Sequence, residues 1–128
     1  MGGKNMSKRN GALNKRFQTE VYNYLSQEGE KNTREITDWY NDRLNAKGMK
    51  AKDTITCIRA ASVLNRSILF EKIGNIPHQY TTASNTISLW NVRPIETAVD
   101  KVILSKKQLH RFPKFLRDAV TRRVENVE

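Results

Sequence analysis

Residues 53–74 read DTITCIRAASVLNRSILFEKIG, and the hydrophobic period changes inside them. Up to Asn65 the pattern is helical. At about 100° per residue, Ile55, Ile58, Ala61 and Ser62 share one face, while Lys52, Thr56, Arg59, Ala60, Val63 and Arg66 share the opposite one. The carboxylate of Asp53 can accept backbone N–H bonds and so predicts the helix start; Asn65, which tolerates a left-handed backbone, predicts its end. From Ile68 the run ILFEKIG (68–74) is β-branched and aromatic, which predicts a strand.

Two more helical patterns precede this stretch. Leu13, Phe17, Val21, Tyr24 and Leu25 fall on one face of a helix over about 12–27, with Gly29 as its stop. Asn32, with Glu35 three residues later, forms the signature of a capping box, and Ile36, Trp39, Tyr40 and Leu44 follow at helical spacing, predicting a helix over 33–45. NAKGMKAK (45–52) reads as a turn.

Downstream, NTISLWNV (85–92) is a second strand pattern, and NIPHQYTTAS (75–84) separates it from the first, predicting a hairpin with a long tip. Pro94 suits the first position of a helix to about 104, striped by Ile95, Ala98, Val99, Val102 and Ile103. Ser105 to Gln108 reads as another capping box, leading through Leu109 and Phe112. A last helix from Pro113 aligns Leu116, Ala119, Val120, Val124 and Val127. These two apolar stripes either pack onto the first helix of the same chain or pair with those of a second copy.

The chain has 128 residues, 38% of them apolar and 28% charged, a globular composition of a size that supports one domain. No apolar run approaches the roughly 20 residues of a membrane span, and the N-terminus lacks the apolar centre of a signal peptide, so no membrane partner and a cytoplasmic location are expected. Cys57 is the single cysteine, which excludes an internal disulfide and a multi-thiolate metal site. His78 and His110 stand apart, and no Gly-rich phosphate loop occurs. No catalytic residue, metal or cofactor is expected.

The net charge of +10 is unevenly placed. Residues 1–16 hold five cations and no acid, residues 17–42 two cations against six acids, and residues 43–66 six cations against Asp53 alone. A localised positive pole beside an acidic one favours a polyanionic partner, most often nucleic acid, through release of condensed counterions.

Three helices followed by a hairpin is the element order of a winged helix-turn-helix domain, and the stretch 17–92 resembles the winged-helix superfamily of DNA-binding proteins in that order and in its hydrophobic pattern. The resemblance implies a mostly α fold with a small β-hairpin: a core of three helices plus wing, with additional C-terminal helices. The chain would divide into a basic flexible N-terminal arm (1–11), the winged helix-turn-helix domain (12–92), and a C-terminal helical extension (93–128) that packs or dimerises. The turn 45–52 exceeds the roughly 3–4 residues usual in such domains, and the wing tip His78–Thr82 carries no Lys or Arg.

In a winged helix the third helix enters the major groove. Carried onto this chain, the resemblance places Lys52, Thr54, Thr56, Arg59, Val63 and Arg66 at the nucleic acid, with Arg59 suited to guanine and Val63 to a thymine methyl. Lys47, Lys50 and Lys52 would lie near phosphates, and Lys8, Arg9, Lys15 and Arg16 would bring the N-terminal arm onto the duplex. The function expected is non-enzymatic, sequence-selective binding of double-stranded DNA by a small transcriptional regulator, nucleoid-associated and homodimeric if residues 94–128 pair. Two other functions fit the sequence: a structural RNA-binding component such as a ribosome-associated protein, and a protein–protein adaptor working through the C-terminal helices.

Overall fold

The computed structural model describes residues 2–48, 54–77, 86–105 and 109–126, of which 2–13, 111 and 126 are described by their backbone alone. These residues are mostly helical, with one small antiparallel sheet. In chain order they form α1 (Gly2–Glu28), β1 (Lys31–Asn32), α2 (Thr33–Ala46), α3 (Cys57–Arg66), β2 (Phe70–Pro77), β3 (Thr86–Val92), α4 (Ile95–Ser105), a 3-10 turn (Leu109–Arg111) and α5 (Lys114–Asn126). No helix among the described residues is long and apolar enough to cross a membrane.

Helix α1 begins ten residues earlier than the expected position 12. Gly11, which weakens a helix by about 1 kcal/mol relative to Ala, makes that stretch read as a boundary when only local pattern is considered. Its other end is where the sequence puts it: Gly29 takes a left-handed φ of +88° and donates its N–H to the Leu25 carbonyl at 2.8 Å. Helix α2 carries the expected capping box in both directions, Glu35 N–H to Asn32 Oδ1 at 2.8 Å and Asn32 N–H to Glu35 Oε1 at 3.0 Å.

The two residues of β1 form an edge strand that no periodic pattern announces. Lys31 pairs with Trp90 and Asn32 with Leu89, so the sheet order is β1-β3-β2. The β2–β3 hairpin lies closer to its tip than the sequence predicts, since β2 starts at Phe70 and ends at Pro77. Ile68 and Leu69 are buried in the connection after α3 instead of in a strand, and a short apolar run satisfies either role. Pro77 is tolerated because β2 is the other edge strand, where a missing N–H costs least. A one-residue irregularity sets Ile73 between the Lys72–Trp90 and Gly74–Leu89 pairs.

One apolar core joins all the helices. Phe17, Val21 and Leu25 of α1 meet Ile36, Tyr40 and Leu44 of α2, Ala60 and Leu64 of α3, and Trp90 of β3. The Phe17 and Tyr40 rings meet edge to face at 5.0 Å. The C-terminal helices belong to the same core through Ala98, Val99, Val102, Phe112, Leu116 and Val120, and the Phe115 ring lies 5.1 Å from Tyr22 of α1. Both stripes therefore pack onto their own chain. They are not wholly covered: Val124, expected on the inner face, is exposed, as are Ile103, Leu104 and Leu109.

Buried polar groups fasten the elements to one another. Trp90 Nε1 donates to Thr33 Oγ1 at 2.9 Å, tying β3 to the first residue of α2. Ser67 Oγ donates to Gln18 Oε1 at 2.7 Å, tying the end of α3 to α1. Arg93 Nη1 donates to the carbonyls of Ile68 and Phe70 at 3.1 and 2.9 Å, and its own carbonyl accepts the Tyr22 hydroxyl at 2.9 Å. Each bond satisfies a group whose burial alone would be unfavourable.

Candidate nucleic-acid interface

Helix α3 is the centre of the basic region, and its start is held from a distance. The Asn41 side chain of α2 brackets the Ile55 backbone, Nδ2 donating to the Ile55 carbonyl and Oδ1 accepting its N–H, both at 2.8 Å. This reproduces the pairing of a strand neighbour with one side chain. One residue later Thr56, extended at φ −87° and ψ 162°, caps the helix by accepting the Arg59 N–H at 3.1 Å.

The helix thus begins at Cys57, after a Thr56 cap, and not at Asp53, which lies outside the described residues; it runs through Asn65, the expected stop, to Arg66, with Ser67 as an extended C-cap. That later start corrects the expected faces. Ile55 is buried, but from the extended lead-in, so a helical wheel anchored on it has the wrong phase. The residues turned fully inward are Ala60 and Leu64, both with 0% exposure, whereas Ala60 was expected on the outer face. Val63, expected to touch a base, packs against the core, and Ile58, expected inside, is 86% exposed.

The true outward arc holds Asn65, Ile58, Ser62, Arg66 and Arg59, spanning about 120° at helical spacing. Ser62 is half-buried and the other four are exposed. Arg59 Nη2 donates to Asn14 Oδ1 of α1 at 3.1 Å, which steadies the guanidinium at one corner. Among the described residues neither Arg59 nor Arg66 has a carboxylate partner. By contrast, Arg43 pairs with Glu20 at 2.9 Å and lies 5.0 Å over the Trp39 ring, and Arg34 pairs with Asp38 at 3.1 Å.

The Asn14–Arg59 bond also brings the basic end of α1 to α3. Lys15 is half-buried and Arg16 exposed, next in sequence to Asn14. Exposed Glu28 and Glu30 lie at and beyond the other end of the same helix, about 20 Å away at 1.5 Å per residue. Lys47 is exposed as the C-cap of α2, one residue before Gly48, whose φ is +74°. The side chains of Lys8 and Arg9, and the whole of Lys50, Lys52 and the expected wing tip, His78 to Thr82, lie outside what is described. Thr54 is half-buried in the lead-in to α3, and Thr56 uses its hydroxyl oxygen as the cap.

Comparison of the chain with protein-family models, curated proteins and solved structures finds no match. The function rests on the residues themselves. Three of them escaped sequence reasoning. Asn14 and Asn41 act across 45 and 14 residues and have no local signal. Ile58 had one: with Thr56 taken as the cap, the wheel turns it outward.

Proposed function

We propose that this chain is a sequence-selective, double-stranded DNA-binding protein of winged-helix type, serving as a small transcriptional regulator that reads the major groove with α3. The observation that carries this is the outward arc of α3, where Arg59 and Arg66 lack carboxylate partners among the described residues while Arg34, Arg43 and Arg123 have them. The order α1-β1-α2-α3-β2-β3 with sheet order β1-β3-β2 supports the same architecture, with β2 and β3 as the wing.

Affinity would come from phosphate contacts of Lys47, Lys50 and Lys52 and of the basic residues of α1, Lys8, Arg9, Lys15 and Arg16. Selectivity would come from base edges: an arginine fork matches guanine O6 and N7, and an asparagine amide such as that of Asn65 matches adenine N6 and N7. The test is a competition at fixed salt between a randomised duplex DNA pool and structured RNA. Enrichment of particular duplex sequences supports the reading; preference for RNA, or equal retention of all duplexes, ends it.

The uncovered Ile103, Leu104, Leu109 and Val124 favour, in addition, a homodimer through residues 94–128. Leu104 is 82% exposed, and a second copy would place two α3 helices on successive half-sites. Sizing the intact chain beside Leu104→Glu tests this, a dimer that becomes a monomer being the expected result.

A further inference from the structure

Ile58 is the most exposed large apolar residue among those described, at 86%, and the fold gives no reason for it. It belongs to the first turn of α3, two residues after the Thr56 cap, where a β-branched side chain is a weaker helix former than Ala, Glu or Lys. It does not contribute to the core that Ala60 and Leu64 build on the opposite side. Its neighbours on the outward arc are hydrogen-bonding groups, Ser62 one turn on and Asn65 two turns on, with Arg59 drawn toward Asn14. A bare aliphatic side chain therefore stands on a polar, cationic face, at the end of the helix that faces base edges when such a helix enters a groove.

The major groove of DNA offers an aliphatic side chain one matching feature, the C5-methyl group of thymine; the rest of each base edge is donors and acceptors. We infer that Ile58 is a specificity-determining residue that reads a thymine methyl, the role the sequence had suggested for Val63. The inference rests on the proposal that α3 reads duplex DNA, and it adds that the preferred site contains thymine opposite the first turn of α3. Charge supports this occupant over an apolar protein partner, because Arg59 and Arg66 share the outward arc with Ile58 and the arc holds no acid.

The experiment takes a duplex enriched by the 128-residue chain from a randomised pool and resynthesises it with deoxyuridine at each thymidine in turn. Uracil keeps every hydrogen-bonding group and removes only the methyl. At one or two positions the substitution should weaken binding by about fourfold, the equivalent of one buried methyl-sized group. Ile58→Ala should bind the thymine duplex more weakly by a similar factor and be indifferent to uracil at those positions. Because Ile58 is exposed, the variant should melt with the parent, which separates lost contact from lost fold. If uracil is tolerated everywhere, or Ile58→Ala stays as sensitive as the parent, the assignment of Ile58 is overturned. If Arg59→Ala and Arg66→Ala bind that duplex as the parent does, or no duplex is enriched, the DNA reading fails along with it.

Discussion

Arg123 and Arg59 do opposite work in this molecule. On the C-terminal pair of helices, Arg123 of α5 donates to both Asp100 and Glu96 of α4, and those hydrogen bonds, that to Asp100 foremost, hold its pKa above the ordinary arginine value. On α3, Arg59 meets a neutral amide and Arg66 no carboxylate among the described residues. A cation already matched by two carboxylates has little left to offer an external anion. One held by a neutral acceptor keeps its charge for a partner. The contrast teaches where the net charge is available, which a count of +10 cannot do.

Four substitutions would break or sharpen that contrast. The largest effect belongs to the inner face of α3: Leu64→Ala should lower unfolding stability by about 2–5 kcal/mol in urea titrations, since it empties a fully buried position. Arg59→Ala should cost about 1–3 kcal/mol of affinity for an enriched duplex in anisotropy titrations, with stability changed by less than about 0.5 kcal/mol. If it instead lost stability and kept affinity, Arg59 would belong with Arg123 as a structural residue. Asn41→Ala leaves the Ile55 N–H and carbonyl without their partner and should cost about 1–3 kcal/mol of stability; duplex affinity should fall with it, because the start of α3 is no longer held.

The smallest effect is expected from Arg123→Ala. Its partners Glu96 and Asp100 are exposed, so the melting temperature should drop slightly at low salt, and the difference should vanish as salt screens the pair. Duplex affinity should stay as it is. A loss of affinity equal to that of Arg59→Ala would erase the distinction between the two arginines.

Some of this fold is legible in one sequence and some is not, for definable reasons. The Asn32–Glu35 box, the Gly29 stop and the stripe Ile36, Tyr40, Leu44 are local signals, and each appears as read. Strand β1 is too short to show a period, and its pairing with β3 is a contact made across nearly 60 residues. The start of α3 was obscured by competing caps: Asp53, Thr54 and Thr56 all carry a side-chain oxygen that can accept N–H bonds, and Ile55 fits a helical stripe even though it precedes the helix. A shift of the cap from Asp53 to Thr56 is harmless for a strand or a loop, but in a helix it takes Ile55 off the wheel, and Ile58 and Val63 exchange faces.

The sequence by itself determined the five helices and the two hairpin strands, the cap at Asn32 and the stop at Gly29, and the placing of positive charge in residues 1–16 and 43–66, because these depend on neighbours within a few positions. Only the tertiary structure decided which side of α3 looks outward. That phase is set by the burial of Ala60 and Leu64 and by the grip of Asn41 on Ile55, contacts between residues far apart in the chain. A helix can rotate about its axis without altering its own hydrogen bonds, so its local sequence leaves the choice to whatever it packs against.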